Sequence, residues 1–125
     1  MKKVLIVDDS ATQRVILKAI ILNFFKDSEF DCTVEECSDG GQALRLLESD
    51  KFDLVFTDIN MEPISGIDLL NGFKGSKETT PFIFVSSHLT DAMQLKAKEL
   101  GAIHYITKPL LQEKIEPALR EVFRI

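Results

Sequence analysis

The sequence predicts a doubly wound α/β domain, a parallel sheet with helices packed on both faces. Three observations carry that prediction. Continuous apolar runs of strand length recur at Val4-Leu5-Ile6-Val7, at residues 52–57 and at Phe82-Ile83-Phe84-Val85. Such runs, without polar alternation, mark strands buried on both faces. Helix-starting signals follow the runs, and strand and helix alternate five times, which requires crossover connections and hence a parallel sheet.

After the first run, Asp9 or Ser10 can cap a helix to about Lys26. A weaker strand covers residues 32–37, and Asp39 with Gln42 three positions on resembles a capping box opening a helix to about Ser49. The run at 52–57 is the third strand. A loop through Pro63 then leads to a short helix over about 65–73. The fourth strand, 82–85, is followed by Thr90, which can cap a helix to Leu100 that Gly101 ends. His104 to Thr107 form a short last strand, and a helix runs from about Leu111 to Phe123. Pro117 lies inside it, so that helix is expected either to start late or to kink.

A chain of 125 residues has room for one ordinary domain and can bury roughly two-thirds of its unfolded surface. Hydrophobic residues at 45% with 28% charged are globular composition. Fifteen Lys and Arg against twenty Asp and Glu leave a net charge of −5, and no basic run exceeds Lys2-Lys3, which argues against a nucleic-acid surface. The longest apolar stretch, residues 15–25, is interrupted by Lys18 and Asn23 and is too short to span a bilayer, and no signal peptide is expected. Cys32 and Cys37 would lie about 16 Å apart along a strand at ~3.3 Å per residue, beyond the roughly 7 Å that a disulfide tolerates. Free thiols and a reducing, cytoplasmic compartment are therefore expected. A two-domain enzyme, a transcription factor with its own DNA-binding module and a disulfide scaffold are excluded.

In sheets of this kind the site lies at the carboxyl ends of the strands, beside the switch in strand order. Those ends carry Asp8-Asp9, Asp58, Ser86-Ser87 and Lys108-Pro109. Three carboxylates converging there repel one another unless a hard cation joins them, and Mg²⁺ suits because it takes oxygen ligands and keeps waters for an incoming phosphate. An Asp carboxylate can attack phosphorus to give an aspartyl-phosphate. Lys108 supplies a mobile positive charge for phosphoryl oxygens, and Ser86 a hydroxyl donor. Three carboxylates against a divalent cation and one ammonium sum to zero until a phosphoryl group arrives, which favours a labile, reversible modification.

Val7-Asp8-Asp9, Asp58 at the end of its run, Met61, Gly66, Ser86, and Lys108-Pro109 preceded by Tyr105 together resemble the receiver domain of two-component response regulators. The likeness covers essentially residues 1–125. It implies a flavodoxin-like (βα)5 fold with strand order 2-1-3-4-5, and a stand-alone, chemotaxis-type regulator. It implies phosphorylation of Asp58 by a histidine kinase or histidine phosphotransfer protein, with Mg²⁺ (or Mn²⁺) held by Asp9, Asp58 and the backbone carbonyl of Asn60, and with Asp8 acting through water. Ser86 matches the switch hydroxyl, Tyr105 the switch aromatic and Lys108 the phosphate-binding lysine, its bond to Pro109 expected cis. The output would be a changed face of the fourth helix, fifth strand and fifth helix, read by a downstream protein target rather than by nucleic acid or membrane.

The sequence also departs from the family pattern. Met61-Glu62-Pro63 shifts the usual Pro by one, which alters the loop bearing the Asn60 carbonyl and adds Glu62 near the metal. The span from Asp58 to Ser86 is short, trimming the third helix or the turn at Lys74-Gly75-Ser76-Lys77. Asn60 and His88 stand where receivers vary the access of hydrolytic water, and His88 is expected to face solvent. In the first helix Ile16, Leu17, Ile20, Ile21 and Phe24 make the core stripe. Val15, Ala19 and Leu22 form a second apolar stripe that is either covered by loops, Phe25 and Phe123, or docks a phosphodonor, a partner or a second copy of a monomer or weak dimer.

Other classes fit less well. A turnover phosphatase of the aspartate-nucleophile type needs an acid where Asn60 stands, and a flavin-binding flavodoxin needs a hydroxyl-rich loop where Asp8-Asp9 would repel phosphate. A phosphorylation-independent scaffold remains the rival.

Overall fold

The computed structural model describes residues 1–74 and 80–125. Its elements are β1 (Lys2–Val7), α1 (Ala11–Lys26), β2 (Cys32–Cys37), α2 (Gly40–Ser49), β3 (Leu54–Asp58), α3 (Gly66–Lys74), β4 (Phe82–Ser86), α4 (Asp91–Glu99), β5 (His104–Thr107) and α5 (Gln112–Phe123). The five strands form one parallel sheet in the order β2-β1-β3-β4-β5. Fold class and strand order are those the sequence and its resemblance imply.

Strand pleating divides the core between the two faces. Val4, Ile6, Leu54, Phe56, Ile83, Val85 and Ile106 pack with α1 and α5. Leu5, Val7, Val55, Phe82 and Phe84 pack with α2, α3 and Ala97 of α4. Every residue of β3 and β4 is buried, which is why these strands read as unbroken apolar runs.

Local chemistry sets the helix starts. The Ser10 hydroxyl accepts from the Gln13 amide, the Asp39 carboxylate from Gln42 and the Thr90 hydroxyl from Met93, so three helices begin where a capping side chain satisfies an orphan N–H. Gly101, at φ 92°, ends α4 as expected. β3 starts two residues later than its apolar run, because Asp53 leaves the ladder pattern: its amide donates to the Lys3 carbonyl and its carboxylate accepts from the Lys3 amide.

One expectation is corrected and another narrowed. In α1 the buried residues are Leu17, Ile21 and Phe25, with Ile16 exposed and Ile20 and Phe24 half-buried. The stripe is rotated because Phe25 meets Phe123 of α5 edge-to-face at 5.1 Å and draws the helix end inward. Val15, Ala19 and Leu22 stay exposed, so among the described residues neither loops nor Phe25 and Phe123 cover them. Pro117 does not delay α5, which begins at Gln112 and runs through it. The carbonyl deprived of its bond belongs to Glu113, itself exposed, so water can take that bond.

Cys32 and Cys37 are free, as expected. Burial raises their thiols to about 11 and about 12. Among the described residues no helix is long and apolar enough to cross a membrane. The turn expected at Lys74-Gly75-Ser76-Lys77 lies, beyond Lys74, outside the described residues.

Candidate functional site

The strand register brings the predicted groups to one edge of the sheet. Val7 lies opposite Thr57, Asp58 opposite Val85 and Ser86 opposite Thr107. Asp8 thus emerges beside the end of β3, and Lys108 follows directly after β5. By two-residue pleating Asp58 belongs to the face of Leu54 and Phe56, whereas Ser86 belongs to that of Phe82 and Phe84.

Lys108 joins the two buried aspartates. Its Nζ lies 3.1 Å from Asp8 Oδ2 and 3.0 Å from Asp58 Oδ2. Asp8 and Asp58 are 5% and 7% exposed, so this is a desolvated cation between two carboxylates rather than a surface pair. The peptide bond from Lys108 to Pro109 is cis, as the resemblance implies, and that from Glu62 to Pro63 is cis as well. Asp8 Oδ1 accepts from the Ser10 amide at 2.9 Å, and Asp58 Oδ1 from the Asn60 amide at 3.0 Å. Burial pushes the Asp58 carboxyl above its ordinary range, with Lys108 and the Asn60 amide opposing that push only in part. For Lys108, burial would lower the ammonium, but the bonds to Asp58 and Asp8 outweigh it and raise it.

Carboxylate oxygens of Asp8, Asp9 and Asp58 lie within 4.8 Å of one another. Beside them opens a cleft lined by Asp9, Asn60, Met61 and Glu62. An all-oxygen, triply acidic donor set next to open solvent fits a hard cation that retains waters, and it does not fit a soft metal. The residues present therefore suit Mg²⁺. Glu62, flagged by the shifted proline, lines the same cleft.

Ser86 does not bond Asp58. Its buried hydroxyl donates to the His88 carbonyl at 3.1 Å, accepts from the His88 amide at 3.3 Å and accepts from Asn60 Nδ2 at 3.1 Å. His88 itself is exposed, as expected, and so is Tyr105, at 41%.

Residues 4–120 match the family model for the response regulator receiver domain. The chain belongs to that family. The receiver is 36% identical over 126 residues to the chemotaxis protein CheY of Pseudomonas aeruginosa, covering 96% of this chain and 98% of that one. It is 34% identical to chemotaxis protein CheY-3 of Vibrio cholerae, over 97% and 91% of the two chains. Against the sensory transduction protein LytR of Staphylococcus haemolyticus identity is 39% over 96% of this chain, which spans only 44% of that relative's length. Among solved structures, the N-terminal domain of an uncharacterized protein from Wolinella succinogenes superimposes with a TM-score of 0.86 at 27% identity, covering 99% and 95% of the chains. The family is one of two-component signalling proteins.

Three features of the receiver site go beyond the roles that the sequence indicates. The Asn60 side chain reaches Ser86, a contact beyond the metal-facing carbonyl and the control of hydrolytic water expected at that position. Arg14 donates to the Asp8 carbonyl and is held by Glu36 at 3.3 Å; an Arg five residues after Asp9, one and a half helical turns on, carries no signal by itself. Gly66 lets α3 start against the Asp58 backbone, since a Cβ there would collide with the Asp58 carbonyl oxygen.

Proposed function

We propose that this receiver takes a phosphoryl group onto Asp58 from a phosphohistidine-bearing kinase or phosphotransfer protein and thereby changes the surface it presents to a downstream protein. The observation that carries this reading is the Lys108 ammonium bridging Asp8 and Asp58 beside the exposed carboxylate of Asp9.

In the transfer an Asp58 carboxylate oxygen forms the bond to phosphorus while the phosphorus–nitrogen bond of the donor breaks, its electron pair remaining on the imidazole. Ionised Asp58 is the reactive form, and Lys108 favours that form and orients it against the opposing push of burial. The same ammonium would pair with a phosphoryl oxygen once the Asp58 oxygen it now holds has become part of the mixed anhydride. Asp9, Asp58 and the Asn60 carbonyl would hold Mg²⁺, with Asp8 acting through water and Mn²⁺ able to replace it. The ion supplies neutralising charge for the phosphoryl oxygens. Hydrolysis of the acyl phosphate returns the carboxylate, so the domain is a phosphoacceptor that resets itself rather than a turnover enzyme. Ser86 would move to donate to the phosphoryl group, and Tyr105 would turn inward, altering the face of α4, β5 and α5. The likeness to chemotaxis proteins over nine-tenths or more of their length favours a chemotaxis-type partner complex.

Acetyl phosphate with Mg²⁺ tests the reading. Intact-mass measurement is expected to show one added phosphoryl group, sensitive to hydroxylamine, absent without the metal and absent in Asp58→Asn. No incorporation into the wild type would leave the phosphorylation-independent scaffold.

A further inference from the structure

Ser86 has the hydrogen-bonding capacity of any serine hydroxyl, one donor and two acceptor lone pairs. All three are used. The proton goes to the His88 carbonyl, and the lone pairs receive the His88 amide and Asn60 Nδ2. The hydroxyl is also fully buried and sits on the opposite pleat from Asp58. Two of its three bonds are local, closing a turn with the residue two positions on, of the kind serine makes in many loops. The third is different. It crosses from the β3–α3 loop to the end of β4, joining the residue two after the phosphoacceptor to the hydroxyl that has to move.

We infer that the Asn60 side-chain amide is a positioning residue for the switch, a latch that holds the Ser86 hydroxyl in its resting place and sets how often the unphosphorylated protein visits the switched state. This rests on the proposed function, since it takes Ser86 as the moving hydroxyl and Tyr105 as its reporter. Asn60 is exposed and lines the cleft beside Asp9. Its amide, once released, meets water or the phosphoryl oxygens rather than an apolar wall, so opening the latch strands no buried donor. The burden of release falls on Ser86, whose donated bond to the His88 carbonyl a new acceptor on Asp58 replaces, while the two bonds it accepts are given up. A latch of one neutral hydrogen bond biases an equilibrium without locking it.

The chain has a single tyrosine, Tyr105. Fluorotyrosine labelling therefore gives one fluorine resonance reporting that side chain alone, and the solvent isotope shift between H₂O and D₂O reads its exposure. In metal-free, unphosphorylated protein, Asn60→Ala and the near-isosteric Asn60→Leu are expected to raise the ratio of inward to outward Tyr105 roughly fivefold, the scale of one net hydrogen bond. In a Ser86→Ala background, where the latch has no acceptor, the same replacements are expected to change nothing. Thermal unfolding confirms that each variant is folded, and either Asn60 variant alone suffices. An unchanged resonance in the folded variants overturns the latch. So does a shift that persists in the Ser86→Ala background, because Asn60 would then act by another route. Neither arm uses phosphoryl transfer. Failure of the functional reading shows separately, as a wild-type resonance indifferent to acetyl phosphate with Mg²⁺.

Discussion

At the scale of single residues, Asp58 is placed where its charge is costly. All five residues of its strand are buried, and burial is the largest influence on its carboxyl, raising its pKa despite the Lys108 ammonium and the Asn60 amide. A folded-state pKa above the unfolded value means that the native protein binds this proton more tightly. The ionised side chain then costs stability at pH values above its folded pKa, and the cost disappears once pH falls below the unfolded value, where both states are protonated. Asp58→Asn removes the charge and keeps the shape. Its melting temperature at pH 7 is expected to exceed that of the wild type by about 4 °C, corresponding to roughly 1 kcal/mol for a domain of this size. The gap should narrow as pH falls into the ordinary carboxylate range. A variant less stable than wild type at pH 7, or a gap that does not change with pH, would show that Lys108 outweighs burial. The acidic residues and the lysine were legible in the sequence because each stands at a strand end, where the fold class says to look. The Asn60 side chain was not, since an amide two residues beyond a strand has many possible partners and only tertiary structure selects Ser86.

At the scale of elements, local signals proved readable and relative placement did not. Caps at Ser10, Asp39 and Thr90 depend on residues three positions apart, so the sequence contains both partners of each bond. The rotation of α1 depends on Phe123, nearly a hundred positions from Phe25, and period counting within the helix could not find it. The start of α3 is a similar case. Gly66 donates its amide to the Ile59 carbonyl at 2.9 Å, and a methyl group on its Cα would strike the carbonyl of Asp58. Gly66→Ala must therefore push α3 away from β3 and disturb the loop that carries Asn60. A loss of about 1–3 kcal/mol in urea unfolding is expected, as for overpacked cores. Gly72, in the same helix, is the control. Around it the nearest atoms are Leu44 methyls at 3.7 and 4.0 Å, so Gly72→Ala should be neutral or stabilising by up to about 1 kcal/mol through helix propensity. Similar losses at both positions would mean that close backbone approach is not what Gly66 provides.

At the scale of the whole molecule, the parallel sheet aligns its strand ends so that residues from positions 8, 9, 58 and 108 share one rim, and that alignment follows from a strand order the resemblance supplied rather than from any local pattern. The consequence is a stored repulsion among three carboxylates that Lys108 meets only in part, holding Asp8 and Asp58 but not Asp9. A divalent cation that binds this rim in the folded state alone must stabilise the entire domain, by about 2.7 kcal/mol at a hundredfold excess over its Kd. Mg²⁺ is therefore expected to raise the melting temperature saturably, beyond what a sodium salt of equal ionic strength achieves by screening, and a chelator should reverse the gain. Asp9→Asn is expected to remove most of the effect, because it deletes the exposed carboxylate of the rim without touching the core. Lys108→Met should do the opposite, lowering stability without metal while strengthening the response to it, since the rim then lacks its resident cation. A melting temperature that follows ionic strength alone in all three proteins would exclude a specific cation site, whereas a Mg²⁺ response that survives Asp9→Asn would move the site to Glu62 and the cleft beyond it.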